Sequence, residues 1–139
     1  MSKSKAILVI DDESPLCELL KDIIEQENGG KLQVDYATNS QAALEKMLVK
    51  PYDLVFVDIK LSESTSGIDL LKKFKNLDIK TKFVIYSALA RDVQWPILVR
   101  EGVDRMVLDY LEKNNDLSID ELMAWIQKLL YDQPGSDQL

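Results

Sequence analysis

Three short apolar segments of this chain each run directly into side chains that carry reactive oxygens. The segments are residues 6–10, 54–57 and 83–86, and the oxygens belong to Asp11, Asp12, Asp58 and Ser87. Segments this short and this rich in valine and isoleucine are typical of strands buried on both faces, as in a parallel sheet covered by helices. Because ligands bind beyond the carboxyl ends of such strands, the sequence predicts a site formed by these oxygens.

Strand-like and helical patterns alternate along the whole chain. The five predicted strands are residues 6–10, 32–37, 54–57, 82–86 and 105–111, and a helical pattern follows each of them. Strict alternation is typical of a parallel sheet with right-handed crossovers and helices on both faces. We therefore predict an α/β fold, a doubly wound five-stranded parallel sheet of the flavodoxin-like (βα)5 type. Its strand order, 2-1-3-4-5, would bring Asp11, Asp12 and Asp58 together at one edge.

Capping residues predict where several helices begin. Asn39 or Ser40 is a suitable N-cap for the second helix, and Asp92 is one for the fourth. Pro96 follows within that fourth helix and predicts that it is short or distorted. Ser118 opens a capping box, with a glutamate three residues later, at the start of the fifth helix.

Length and charge restrict the class of protein. The 139 residues predict one domain over residues 1–131, followed by a polar, disordered tail over residues 132–139. The net charge of −7 argues against direct nucleic-acid binding, which needs a basic surface. No apolar run approaches the roughly 20 residues of a membrane span, and the amino-terminal apolar run is too short for a signal peptide. We therefore expect a cytoplasmic protein.

The single cysteine and the absence of histidine restrict the chemistry. Cys17 is the only cysteine, so the chain has neither an internal disulfide nor a cysteine cluster for zinc. The chain contains no histidine, which excludes a Ser-His-Asp or Cys-His nucleophile, a histidine metal site and a phosphohistidine. Chemistry in this protein must therefore use carboxylates, hydroxyls, lysine and a bound ion.

Three carboxylates at one sheet edge repel each other unless a proton or a cation lies between them. Mg²⁺ suits such a site because it binds a few carboxylates, keeps several waters and often engages a phosphate oxygen. A carboxylate can also attack phosphorus and form an aspartyl phosphate. Phosphoryl transfer requires mainly alignment and positive charge near the phosphoryl oxygens. The pattern thus favours phosphoryl chemistry at a magnesium site.

The segments around these residues resemble the receiver domain of bacterial two-component response regulators, of the single-domain type. The matching motifs are Val-Ile-Asp-Asp-Glu at 9–13, Tyr-Asp-Leu-Val-Phe-Val-Asp at 52–58 and Val-Ile-Tyr-Ser-Ala at 84–88. The resemblance extends over residues 5–130, nearly the whole chain. Three motifs in this order, each at a strand end, make it a specific one.

The resemblance implies a role for each residue of the edge. Asp58 would be the phosphoacceptor, and it would also belong to the Mg²⁺ site. Asp12 would bind Mg²⁺ directly and Asp11 largely through water, while the backbone carbonyl of Lys60 would complete the protein ligands.

Three further roles follow from the same resemblance. Ser87 would bond a phosphoryl oxygen when Asp58 is modified, and Lys113 would form an ion pair with the phosphoryl group. Tyr110 would be the aromatic switch residue that changes rotamer as Ser87 moves. Asp58, Ser87 and Lys113 would therefore be the catalytic residues.

The chain departs from the family pattern on both sides of the site. Ser62 stands where the family usually has a proline, and Gly67 comes one residue later than usual. Asn114 replaces the proline that usually follows the lysine. Counting from Gly102 without a gap also puts Asp109 at the lysine position, so Lys113 fits only if a few extra residues precede it.

Three functions remain open at this stage. The leading one is a phosphorylation-dependent switch that takes its phosphoryl group from a histidine kinase or phosphotransfer protein and later removes it. Such a switch would signal to a downstream protein through the surface of helix 4, strand 5 and helix 5, a face that could also form a homodimer. The alternative is a pseudo-receiver, which binds proteins without being phosphorylated. A phosphatase acting on a separate substrate ranks last, because Lys60 occupies the position of its second acid.

Overall fold

The computed structural model of the chain describes residues 4–61, 65–113 and 117–131. Within them, five strands form one parallel sheet in the order β2-β1-β3-β4-β5. The strands are β1 (Lys5–Ile10), β2 (Leu32–Ala37), β3 (Leu54–Val57), β4 (Phe83–Ser87) and β5 (Val107–Glu112). The helices are α1 (Ser14–Glu27), α2 (Ser40–Val49), α3 (Gly67–Asn76), α4 (Arg91–Arg100) and α5 (Ile119–Tyr131). The predicted fold class and strand order are confirmed.

Both faces of the sheet are covered, which explains the unbroken apolar runs in the central strands. Successive side chains of a strand point to opposite faces. In β1, Leu8 and Ile10 pack with residues of α2, α3 and α4, whereas Ile7 and Val9 pack with residues of α1 and α5. All four side chains are at most 1% exposed. The core is therefore divided into two layers by the sheet, as the alternation of elements predicts.

The register of the central strands aligns their carboxyl ends. Ile10 is paired with Val57 of β3 and with Ala37 of β2. The hydrogen-bond ladder continues one residue further, since Asp58 N donates to Ile10 O at 3.0 Å and Asp11 N donates to Ala37 O at 3.0 Å. The backbone of both aspartates is thereby anchored at the same edge of the sheet.

The predicted helix starts are confirmed in two cases and wrong in one. The side chain of Asn39 accepts a hydrogen bond from Ala42 N, and Ser118 forms the predicted capping box with Glu121. Asp92 is not the N-cap of α4, because the helix begins earlier, with Ala90 at the cap position. Asp92 lies in the first turn, and the helix continues through Pro96.

Some sequence predictions fall on residues that the structure does not describe. The tail at 132–139, Ser62 and Asn114 all lie outside the described residues. Among the helices of the described segments, none is both long enough and apolar enough to cross a membrane.

Candidate functional site

The carboxyl edge of the sheet holds two buried aspartates. Asp11 is 1% exposed and Asp58 is 5% exposed, while the neighbouring Asp12 and Glu13 are exposed. Each buried carboxylate has one oxygen bound by the backbone of its own loop. Glu13 N donates to Asp11 Oδ1 at 3.0 Å, and Lys60 N donates to Asp58 Oδ1 at 3.3 Å. These bonds orient the second oxygen of each carboxylate toward the same space.

Lys113 occupies the space between the two aspartates. Its ammonium lies 2.5 Å from Asp11 Oδ2 and 3.0 Å from Asp58 Oδ2, and its side chain is only 13% exposed. The backbone N–H of Lys113 donates to Ser87 O at 2.8 Å, which continues the β4–β5 ladder by one residue. The structure thus brings together Asp11, Asp58 and Lys113 from three separate strand ends.

Burial and ion pairing have opposite effects on the pKa values of Asp11 and Lys113. Burial raises the pKa of Asp11, even though a hydrogen bond from Lys113 opposes the shift. Burial alone would lower the pKa of Lys113, but hydrogen bonds to Asp11 and Asp58 outweigh it and raise that pKa. A lysine with a raised pKa keeps its ammonium at neutral pH. At neutral pH the site therefore contains a positive charge beside Asp58.

The adjacent acidic residues form a second part of the site. In the described part of the chain, carboxylate oxygens of Asp11, Asp12 and Glu13 lie within 4.8 Å of one another. Oxygen donors at this spacing suit Mg²⁺, which prefers carboxylates and water. The sequence prediction combined Asp11 and Asp12 with Asp58 and the carbonyl of Lys60. It did not include Glu13, whose only sequence signal is that it directly follows the aspartate pair.

Ser87 and Tyr110 are both hydrogen-bonded to the loop that follows β4. Ser87 is fully buried, and its Oγ accepts a hydrogen bond from Leu89 N at 3.2 Å. The Tyr110 hydroxyl donates to Leu89 O at 2.6 Å. Burial raises the pKa of Tyr110 to about 12, so its hydroxyl remains a donor at neutral pH. The loop between β4 and α4 is therefore bonded to both predicted switch residues.

Glu112 makes a second connection from β5, to the start of α4. Its carboxylate accepts a hydrogen bond from Arg91 N, the first residue of α4, at 2.8 Å. Ala90, at the cap position, makes no side-chain capping bond. Glu112 therefore caps α4 from the neighbouring strand. Sequence reasoning missed this role because the two residues are 21 positions apart.

The segment before Lys113 contains two irregularities. A 3-10 turn at Asp104–Met106 precedes β5, and the β4–β5 register shifts between Phe83 and Val84. Asp109, the other residue at the expected lysine position, accepts a hydrogen bond from the indole of Trp125 at 2.6 Å. Asp109 thus packs against α5, and Lys113 is the residue that reaches Asp58.

Known proteins resemble this chain in both sequence and fold. The family model of the response regulator receiver domain matches residues 7–127. The response regulator ArlR of Staphylococcus epidermidis is 31% identical over 133 residues, which are 96% of this chain and 56% of ArlR. This chain therefore spans about half the length of that relative. The chemotaxis protein CheY of Thermotoga maritima is 30% identical over 109 residues, 78% of this chain and 85% of CheY.

Solved structures of similar proteins share the fold. A two-component response regulator from Clostridium difficile superposes with a TM-score of 0.75 at 28% identity, covering 91% of this chain and 96% of that one. The response regulator TrrA from Thermotoga maritima, solved in complex with Mg²⁺ and BeF, gives a TM-score of 0.71 at 28% identity, covering 91% and 99%. The chain belongs to the family of response regulator receiver domains.

Proposed function

We propose that the chain is a phosphorylation-dependent switch of a two-component phosphorelay, with Asp58 as the phosphoacceptor. The contact of the Lys113 ammonium with both Asp11 and Asp58 is the observation that carries this proposal. It supplies fixed positive charge where a phosphoryl group on Asp58 would develop negative charge.

In the proposed reaction, a carboxylate oxygen of Asp58 attacks phosphorus, the bond between phosphorus and the donor nitrogen breaks, and an aspartyl phosphate forms. The donor histidine lies outside residues 1–139, since they contain none. Water later attacks phosphorus, which releases inorganic phosphate and restores the carboxylate. In both steps Lys113 would neutralise charge on a phosphoryl oxygen, and the backbone N–H of Lys60 would orient the Asp58 carboxylate.

Asp11 and Asp12, together with Asp58 and the carbonyl of Lys60, are the proposed ligands of a Mg²⁺ ion. The clustered oxygens of Asp11 and Asp12 support this assignment, and Glu13 offers a further oxygen beside them. Mg²⁺, when bound, supplies additional positive charge to the phosphoryl oxygens. The backbone N–H of Lys60 and the ammonium of Lys113 would act on Asp58 and its phosphoryl group in addition to the metal.

The proposed output follows from the bonds to the β4–α4 loop. A phosphoryl oxygen on Asp58 would accept a hydrogen bond from the Ser87 hydroxyl, whose oxygen accepts one from Leu89 N, so a movement of Ser87 toward the phosphoryl group would pull on the loop. Because Tyr110 is bonded to the same loop through Leu89 O, movement of the loop would release Tyr110. The change would be transmitted to α4, β5 and α5.

The proposed partners are a histidine kinase or phosphotransfer protein and a downstream protein target. We propose no direct contact with nucleic acid or membrane, and dimerisation on phosphorylation through the α4, β5 and α5 face. The cytoplasmic location stays a prediction of the sequence. Catalysis would be confined to the chain's own Asp58, so it would not act as an enzyme on a separate substrate.

Replacing Asp58 with asparagine is expected to abolish phosphorylation by acetyl phosphate and Mg²⁺, because an amide oxygen is a far weaker nucleophile than a carboxylate. Intact-mass spectrometry would detect the adduct. We expect one phosphoryl group on the wild-type chain, none on Asp58→Asn and none on the wild-type chain in the presence of a chelator.

A matched control is available at the opposite edge of the sheet. Asp78→Asn also removes one carboxylate, and asparagine tolerates the positive φ of 57° found there. This variant should be labelled like the wild type. Labelling of Asp58→Asn at the wild-type level would refute the assignment of Asp58 as the phosphoacceptor. A wild-type chain that is not labelled and binds no Mg²⁺ would favour the pseudo-receiver.

A further inference from the structure

One aromatic ring lies beside the buried lysine of the site. The ammonium of Lys113 is 5.7 Å from the centre of the Tyr86 ring. This distance is within the range in which an ammonium is attracted to the face of an aromatic ring. Tyr86 is half-buried and directly precedes Ser87, so the ring reaches Lys113 from the neighbouring strand.

The Tyr86 ring is held in place by a chain of aromatic contacts. It meets Phe56 edge to face, with ring centres 6.1 Å apart, and Phe56 meets Trp125 in the same way at 5.4 Å. The Trp125 indole is in turn hydrogen-bonded to Asp109 at 2.6 Å. Edge-to-face contacts of this kind are favourable and directional. The ring beside Lys113 is therefore part of a packed layer and has little freedom to turn away.

The contact complements the hydrogen bonds of the ammonium. An ammonium has three N–H donors, and Lys113 uses one toward Asp11 and one toward Asp58. The attraction to a ring requires no hydrogen-bond acceptor, so it does not compete with the carboxylates. It adds a third restraint to a side chain that is already held by two ion pairs.

We propose that Tyr86 is a positioning residue for Lys113, whose ring holds the ammonium at the place where a phosphoryl group on Asp58 would meet it. This inference rests on the proposed function for its effect on rate, but the contact itself can be tested without it. The Tyr86 hydroxyl plays no part in the proposal. The ring should therefore matter and the hydroxyl should not.

Tyr86→Leu is the variant that removes the ring, and Tyr86→Phe is its matched control. We expect Tyr86→Leu to slow labelling by acetyl phosphate about fivefold, as the loss of an ordinary cation–π attraction would. Tyr86→Phe should stay within about twofold of the wild-type rate, because phenylalanine also attracts cations. An unchanged rate in Tyr86→Leu would overturn the proposal.

A double-mutant cycle separates positioning from a general loss of structure. In a Lys113→Ala background the ring has no ammonium to hold, so adding Tyr86→Leu should change the residual labelling rate little. If Tyr86→Leu slows labelling as much in that background as in the wild type, the ring acts through something other than Lys113, and the proposal is wrong.

A spectroscopic measurement tests the contact independently of phosphorylation. The ε-methylene protons of Lys113, identified by their loss in Lys113→Ala, should show a ring-current shift in the NMR spectrum of the wild-type chain. The shift should persist in Tyr86→Phe and disappear in Tyr86→Leu. Identical shifts in all three proteins would refute the contact. If the shift is present but the wild-type chain is never labelled, the proposed function fails while the contact stands.

Discussion

Replacing Lys113 with methionine is expected to destabilise the metal-free protein by about 3 kcal/mol at neutral pH, the cost typical of removing one partner from a buried ion pair. Methionine has a similar length but no charge, so Asp11 and Asp58 would lose their ammonium while 1% and 5% exposed. Urea unfolding of both proteins gives the difference. Lys73→Met, at an exposed position of α3, is the matched control and should change the stability little.

The effect of Lys113→Met should depend on pH in a defined direction. Burial already raises the pKa of Asp11, and removal of the ammonium would raise it further. When the pKa of a carboxyl group is higher in the folded than in the unfolded state, its protonation stabilises the folded state at low pH. This stabilisation is lost as the pH rises. The difference from the wild type should therefore be largest at neutral pH and shrink near pH 4, about where carboxyls titrate. An equal destabilisation at both pH values would mean that only packing was lost.

We expect the complementary dependence for the wild-type chain at high pH. The pKa of Lys113 is raised by its hydrogen bonds to Asp11 and Asp58. Its contribution to stability is complete below the pKa of an unfolded lysine and is lost as the pH rises through the higher folded value. Unfolding curves at alkaline pH should therefore converge for the wild type and Lys113→Met.

Gly67→Ala is expected to destabilise the protein by about 3 kcal/mol, at the upper end of what overpacking costs. A Cβ at position 67 would lie 2.1 Å from Asp58 O and 3.0 Å from Ile59 Cα, both of them backbone atoms. Gly67 N also donates to Ile59 O at 2.7 Å, so α3 begins in direct contact with the end of β3. Either α3 or the backbone of Asp58 must move. Thermal denaturation measures the cost, and the labelling rate should fall with it.

Gly30→Ala is the control for Gly67→Ala. Gly30 has a φ of +85°, but an added Cβ would meet nothing within 4 Å. Its substitution should therefore cost only backbone strain, about 1 kcal/mol, and leave labelling unchanged. If Gly67→Ala is no less stable than Gly30→Ala, the start of α3 can withdraw from Asp58 freely, and the close contact is not a constraint.

The architecture could be predicted from local patterns because the short apolar runs and the alternation of strand-like and helical patterns both indicate it. Alternating strands and helices determine a parallel sheet, and its strand order makes the ends of β1 and β3 neighbours. Asp11 and Asp58 then meet because Ile10 pairs with Val57. The proximity of these two aspartates therefore follows from the strand order and register alone.

The remaining features of the site depend on contacts between distant residues. Lys113 reaches Asp58 after a segment whose 3-10 turn and register shift have no strong sequence signal. The Tyr86 ring lies beside Lys113 only because β4 and β5 are neighbours. The prediction of Asp92 as a cap was wrong for the same reason, since Glu112 binds Arg91 N and α4 can begin without a capping residue of its own.

The cap that Glu112 provides has a consequence for protein engineering. The start of α4 is encoded partly in β5, so the stretch Arg91–Arg100 is not a portable module. A chimera that exchanges this helix alone would need a carboxylate in β5 of the host domain, at the position of Glu112, to accept the hydrogen bond from the first N–H of the new helix. The smallest transplantable piece extends from the β4–α4 loop through Glu112, and it carries Tyr110 with it.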